Sequence, residues 1–311
     1  MNNIISFFVK DKIARACNKN IYAIYDEIIG LLDEYTNVVL PEESKLNGHK
    51  HFRTKEIEEE ILSLIDENED VLLIQDVKGR NIGHRVASLK LESLALKALD
   101  DKEASIQQDK VGMNIGMHCA TNKMLKCIMK ALDNEDASCQ QDEMGFNIGM
   151  LSVQAGLEPA IKKALQNNIA STQQNMYKQN IGMLTAIHHM EELTLLALDN
   201  EVASVQRNAF DENIGILSAK AEMESCVLKA LDNEMAATQQ NRYGQNIGMI
   251  CLERGMDSCV KKALENKEAR GQRDNCNESL SYLAWVKGYE TKIEYNNQEI
   301  IDNLAESFSE L

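Results

Sequence analysis

Asp142-Glu143-Met144-Gly145-Phe146-Asn147-Ile148-Gly149-Met150 is a stretch in which a turn gives way to a helix. An Asp followed by x-x-Gly is turn chemistry: the carboxylate accepts from nearby backbone N–H groups, and Gly tolerates positive φ. Asn147 is then a good helix N-cap. Beyond it Ile148, Leu151, Ser152 and Val153 recur at helical spacing. The same tetrapeptide, or a close variant, begins at Asn81, Asn114, Asn147, Asn180, Asn213 and Asn246, each step being 33 residues. A degraded seventh copy starts at Ser279. Six copies in unbroken phase make the chain a repeat array.

Other columns keep the phase. Five residues before the Asn stand Asp76, Asp109, Asp142, Asn175, Asn208 and Asn241. Glycines recur two residues before it (Gly79, Gly112, Gly145, Gly244), two after it (Gly83 to Gly248) and nine after it (Gly156, Gly255, Gly288). An Ala-Leu pair such as Ala131-Leu132 or Ala230-Leu231 follows at +17 and +18, and a second apolar series runs through Cys226, Val227, Ala230 and Leu231. Each unit therefore predicts a turn, a short helix, a tight break and a second helix. One such unit cannot bury its apolar face alone, so neighbours must stack.

In period and phase the array resembles the ankyrin repeat. Asp-x-x-Gly-x-Asn-Ile-Gly-Met is similar to that family's Asp-x-x-Gly-x-Thr-Pro-Leu-His, and the likeness runs over residues 43–299. Asn in place of Thr keeps the cap, and Ile in place of Pro loses a preset φ. The Gly column replaces a buried Leu, so the helices must pack closer or be compensated by the adjacent Ile and Met. The resemblance implies an all-α, ankyrin-like helical repeat solenoid with six regular repeats between divergent caps. Residues 1–42 are expected to form a helical segment and 43–75 a divergent N-capping repeat. The regular repeats occupy 76–273, and 274–311 holds a degenerate C-capping repeat with an acidic tail.

Composition limits the function. The 33 Lys and Arg stand against 49 Asp and Glu, a net charge of −16. Such a chain repels a phosphate backbone, and no basic patch offsets it, so nucleic acid is not the expected partner. No apolar run approaches the ~18 residues of a membrane span, so no membrane insertion is expected. The apolar start at Ile4 to Val9 lacks the flanks of a signal peptide. Eight cysteines then suggest reduced thiols and a cytoplasmic setting.

The cysteines follow the repeat rather than metal geometry. Cys119 and Cys251 share the +5 column with Ser152, Thr185 and Ser218, and Cys127, Cys226 and Cys259 share +13. Each is expected to fill a helix contact as a small hydrophobe. Cys17, Cys139 and Cys276 are less determined, and Cys276 falls in a turn. His49 and His51 read as solvated loop residues without further ligands at a metal spacing. No nucleophile, base and orienting group stand together, so no catalytic residue, metal or cofactor is expected.

The informative column lies three residues before each Asn: Lys78, Val111, Met144, Tyr177, Phe210, Tyr243 and Cys276. Five consecutive apolar or aromatic residues occupy what should be an exposed turn tip. Met113, Phe146 and Met176 extend the patch. Packing between hairpins and contact with a partner both account for it. The family's binding face adds the first-helix surface around Gln154, His188, Lys220 and Arg254. These residues predict a monomeric protein-recognition module whose partner, given the net charge, presents a basic surface. An enzyme with its chemistry in the first 50 residues, or a scaffold associating through its tips, is the alternative. The low-proline, Asn-rich composition is also similar to ankyrin effectors that intracellular bacteria translocate into a host cell.

Overall fold

The computed structural model describes residues 2–39 and 47–289. The side chains of Cys17, His49 and His51, the junction at Pro41, the 300–304 segment and the 299–311 tail lie outside the described residues. The architecture is helical, and no named strand occurs among the described residues. The chain divides into two units, 1–164 and 165–311.

Unit one opens with helix Asn2–Val39, which packs on helix Asn47–Glu67 through Ile28, Leu31 and Leu32 against Ile57, Ile61 and Ile65 as neighbouring buried rows. The second of these is one continuous helix, so His49 and His51, expected in a loop, lie within its first five residues instead. A 3-10 turn, Glu69–Leu73, leads into the repeats. Helix pairs Ile82–Ser88 with Glu92–Asp100, Ile115–Thr121 with Leu125–Ala131, and Ile148–Ala155 with Glu158–Leu165 follow. Unit two repeats the pattern with Ile181–Ile187 and Glu191–Ala197, Ile214–Lys220 and Glu224–Leu231, Ile247–Arg254 and Asp257–Glu265. It ends on Leu280–Val286, capped by the Ser279 hydroxyl.

Each repeat also carries a third helix of five residues, which the sequence pattern did not predict. It occupies Lys102–Ile106 and Glu135–Cys139 in unit one, and Asn168–Thr172, Glu201–Val205, Glu234–Thr238 and Lys267–Gly271 in unit two. Its cause is a second column of caps. The side chains of Asp101, Asn134, Asn167, Asn200, Asn233 and Asn266 accept from backbone N–H groups two or three residues on.

The motif Asn has more to do than cap. In unit two, Asn213 is fully buried; its Oδ1 accepts from the Ile216 N–H at 2.8 Å. Its Nδ2 donates to the Ala236 carbonyl at 2.9 Å and to Gln239 Oε1 at 2.8 Å. Gln239 Nε2 in turn donates 2.7 Å to the Val205 carbonyl of the preceding repeat. Asn180–Gln206 and Asn246–Gln272 do the same, and in unit one so do Asn81–Gln107 and Asn114–Gln140. A polar spine therefore ties the first helix, the third helix and the neighbouring repeat together inside the apolar stack, with its donors and acceptors paired.

The Gly column is where neighbouring repeats come closest. A Cβ added at Gly116 would lie 2.6 Å from both Ala131 Cβ and Ile148 Cδ1; at Gly182 it would meet Ile214 Cδ1 at 2.5 Å and Ala197 Cβ at 2.6 Å. The Ile of the next repeat thus fills the space that a Leu side chain would otherwise take. Buried thiols complete the contacts: Cys119, Cys127, Cys226, Cys251 and Cys259 are all inaccessible, Cys139 is half-buried and Cys276 is exposed.

The first repeat substitutes His84 where the later ones carry Met117, Met150, Met183, Ile216 and Met249. His84 is buried; its Nδ1 accepts from the Asn81 N–H at 3.1 Å and its Nε2–H donates to the Met113 carbonyl at 3.0 Å. Burial, with the neighbouring His118 ring stacked edge-on at 5.3 Å, pushes its pKa down to about 4. The unfolded chain therefore binds a proton on this histidine that the native state refuses between about pH 4 and 6.5. Stability from this group is complete above that window and is lost as pH falls through it. Urea unfolding midpoints measured from pH 7.5 to 4.5 should fall more for the wild type than for His84→Met. Parallel curves would show that the ring contributes nothing to the acid sensitivity.

Candidate turn-tip recognition edge

Hydrogen bonds to the backbone fix the tips. In unit two, Asn175 Oδ1 accepts from the Tyr177 and Gln179 N–H groups at 3.0 Å each, and Asn208 and Asn241 hold their turns in the same way. Consecutive tips are then bonded to one another: Ala209 N–H to Tyr177 O at 3.0 Å, Arg242 N–H to Phe210 O at 3.3 Å, and Asn275 N–H to Tyr243 O at 3.0 Å. Gln174 Nε2 staples its own tip to the Arg207 carbonyl of the next at 3.1 Å. Side chains three residues before each motif Asn are thereby held in register along one edge.

That edge leaves Met176, Tyr177, Phe210 and Tyr243 about half exposed or more. The Arg242 guanidinium lies over both the Phe210 ring, 4.7 Å from its centroid, and the Tyr243 ring at 4.9 Å. Its Nη2 also donates to the Tyr243 hydroxyl at 2.7 Å. Packing between hairpins and an open surface are thus both present: the cation covers part of two rings and the rest faces solvent. Arg242 carries no such signal in the sequence, because a charged residue in a turn looks solvated until a neighbouring tip is placed beside it.

In unit one, Val111 and Met144 are likewise exposed at their tips, while Met113 is half-buried. Phe146 corrects the expectation of an extended patch. It is only 7% exposed, so it does not extend the row of open tips, although Met113 and Gln179 in the same column are half-buried. The same position in unit two holds Glu212, buried, accepting from Asn208 Nδ2 at 3.0 Å and ion-paired with Lys220.

On the first-helix surface Gln154 and His188 are exposed, with Ile187 beside the latter. Lys220 spends its charge on the buried Glu212, and Arg254 reaches Glu222 at 3.4 Å. His189, Lys178, Asp211 and Glu222 adopt left-handed backbone (φ 56° to 62°), where other repeats use Gly156, Gly244 or Gly255. Among the described residues no group of three or more His, Cys, Asp or Glu side chains could hold a metal ion, and no helix is long and apolar enough to cross a membrane.

No family model and no curated protein matches the sequence. Solved structures do. An ankyrin repeat domain from Acinetobacter baumannii AYE is similar, with a TM-score of 0.51 at 13% identity, over 59% of this chain and 96% of that one. The ankyrin repeat domain of Bcl-3, a member of the IkappaB protein family, gives a TM-score of 0.54 at 9% identity, over 66% of this chain and 94% of that one. At these identities the likeness speaks to architecture: the chain has the ankyrin-repeat fold.

Proposed function

We propose that this ankyrin-fold chain is a non-catalytic protein-recognition module that binds a partner protein through its tip edge and first-helix face. The observation that supports this most is the row Tyr177, Phe210 and Tyr243, about half exposed on tips bonded in register. Aromatic and Arg side chains dominate the energetics of protein interfaces, and rigid presentation lowers the ordering cost of binding. Lys220 and the buried Glu212 act in this reading as a brace beside the tips, while His188 and Arg254 supply adaptable polar contacts.

The test is the triple change Tyr177→Ser, Phe210→Ser and Tyr243→Ser in the full chain. Partners captured by the wild type and identified by mass spectrometry should be bound at least ~30-fold more weakly by the variant. The melt should move by only a few degrees, since the changes forfeit a cation–π contact worth about 0.5–1 kcal/mol per exposed ring and little else. A large drop in melting temperature would make the rings structural. Undiminished binding by a stable variant would exclude the tips as the site.

A further inference from the structure

The third helices of unit two carry a second apolar row, distinct from the tips. Ile169, Val202 and Met235 occupy the second position of successive five-residue helices, 33 residues apart. They are 63%, 60% and 61% exposed, more open than any tip aromatic. The next two residues of each helix (Ala170 and Ser171, Ala203 and Ser204, Ala236 and Ala237) point inward and are buried, so the fold is sealed without the row. Nor does the position itself call for an apolar residue. The same column holds Glu103 and Asp136 earlier in the chain and Glu268 in the repeat that follows. Three consecutive hydrophobic residues at a place the fold leaves open gain nothing for folding and lose solubility, which marks a surface kept for contact.

Charge says what kind of contact. Exposed Glu201 and Glu234 stand beside Val202 and Met235, and Glu268 closes the row at one end with Lys267 next to it. Behind them Asp199 pairs with Lys229 at 2.5 Å and Asp232 with Lys262 at 2.5 Å, so those lysines are already engaged by their own ladder. Two copies meeting about a two-fold axis on this row would bring the same carboxylates together, which disfavours self-association. A basic partner satisfies the rim.

Spacing says what shape. Adjacent helices pack about 8–10 Å apart, and neighbouring third helices are in contact along unit two. Seven residues of an α-helix rise about 10.5 Å. Apolar residues one heptad apart on a single helix therefore match the repeat spacing of Ile169, Val202 and Met235.

We propose that this row is a docking surface for a basic amphipathic helix of a partner protein, laid across the third helices with heptad-spaced apolar residues on Ile169, Val202 and Met235. The surface is separate from the tip edge and stands or falls independently of it.

Two 21-residue probe peptides test the idea by fluorescence anisotropy with the full chain. Each has three heptads with Leu at the first and fourth positions; the remaining positions are Lys and Ala in one and Glu and Ala in the other. The Lys peptide should bind, and the triple change Ile169→Ser, Val202→Ser and Met235→Ser, which leaves net charge untouched, should weaken it about tenfold or more. The tip variant Tyr177→Ser, Phe210→Ser, Tyr243→Ser should bind it within about twofold of wild type. Should the row variant melt early, Met235→Ser alone, which also leaves the charge untouched, gives the same reading at an exposed site. The proposal is overturned if the row variant binds like wild type, since attraction is then only the general pull of an acidic chain. It is equally overturned if neither peptide binds, if the Glu peptide binds as tightly, or if the row variant abolishes a dimer that the wild type forms on size exclusion.

Discussion

Gly215→Leu, which restores the residue type the ankyrin signature carries at this position, should unfold the flanking repeats more readily than almost any surface change could. An added Cβ alone would sit 2.5 Å from Ile247 Cδ1 and 2.7 Å from Ala230 Cβ. Leu brings three further carbons to a contact with no room for one. Overpacking a close-packed interior costs about 1–3 kcal/mol and more where the backbone must move, so a loss near 4 kcal/mol is expected. That corresponds to roughly 10 °C in melting temperature for a chain of this size. Gly215→Ala separates the terms. Helix propensity gains up to ~1 kcal/mol, while the overlap with Ala230 Cβ, which cannot rotate away, takes back more than that. Pairing Gly215→Ala with Ile247→Val removes the Cδ1 atom and should recover part of the loss, a coupling a double-mutant cycle reads directly. Additive effects of the two changes would mean that the Gly–Ile contact does not set the spacing of the stack.

The same contact shows why some of this protein was legible in its sequence. Gly, Asn and Asp columns each answer a distinct backbone demand, so six in-phase copies reveal the turn, the cap and the close approach before any coordinate is known. A five-residue helix such as Glu201–Val205 makes little more than one turn, too short for apolar periodicity to register. Its cap, Asn200, is present in the sequence, yet an Asn between two helices also reads as a loop. Gln239 gives no signal for a comparable reason: a polar side chain in one sequence carries no sign of the carbonyl 34 residues earlier to which it donates. Phe146 was misplaced because its column mixes Arg80, Met113, Gln179 and Glu212, and such a mixture does not say which way the chain faces. The row at Ile169, Val202 and Met235 becomes visible only after the third helix is placed, since exposure of that column depends on it.

Substitutions at Asn213 test whether the motif Asn is more than a cap. Thr, the ankyrin signature residue, keeps an oxygen for the Ile216 N–H but has no amide to serve both Ala236 O and Gln239 Oε1. Ala removes the cap as well and leaves the buried Ala236 carbonyl and the half-buried Gln239 Oε1 without their donor. A lost cap costs about 1 kcal/mol and each polar group left without its partner about 1–3 kcal/mol, so Asn213→Ala should lose about 3–5 kcal/mol and Asn213→Thr about 2–4. Asn213→Asp keeps the cap and turns the donor edge into a third acceptor facing two others. It should be the most damaging of the three at pH 7, because the charge is buried against carbonyl oxygens. Lowering the pH should narrow its deficit relative to Ala, since a protonated carboxyl regains one donor. Urea unfolding followed by circular dichroism orders the series, with Thr mildest and Asp worst. If Thr matched the wild type, the cap alone would account for the Asn, and the spine through Gln239 to Val205 would hold nothing that the apolar contacts between repeats do not already hold.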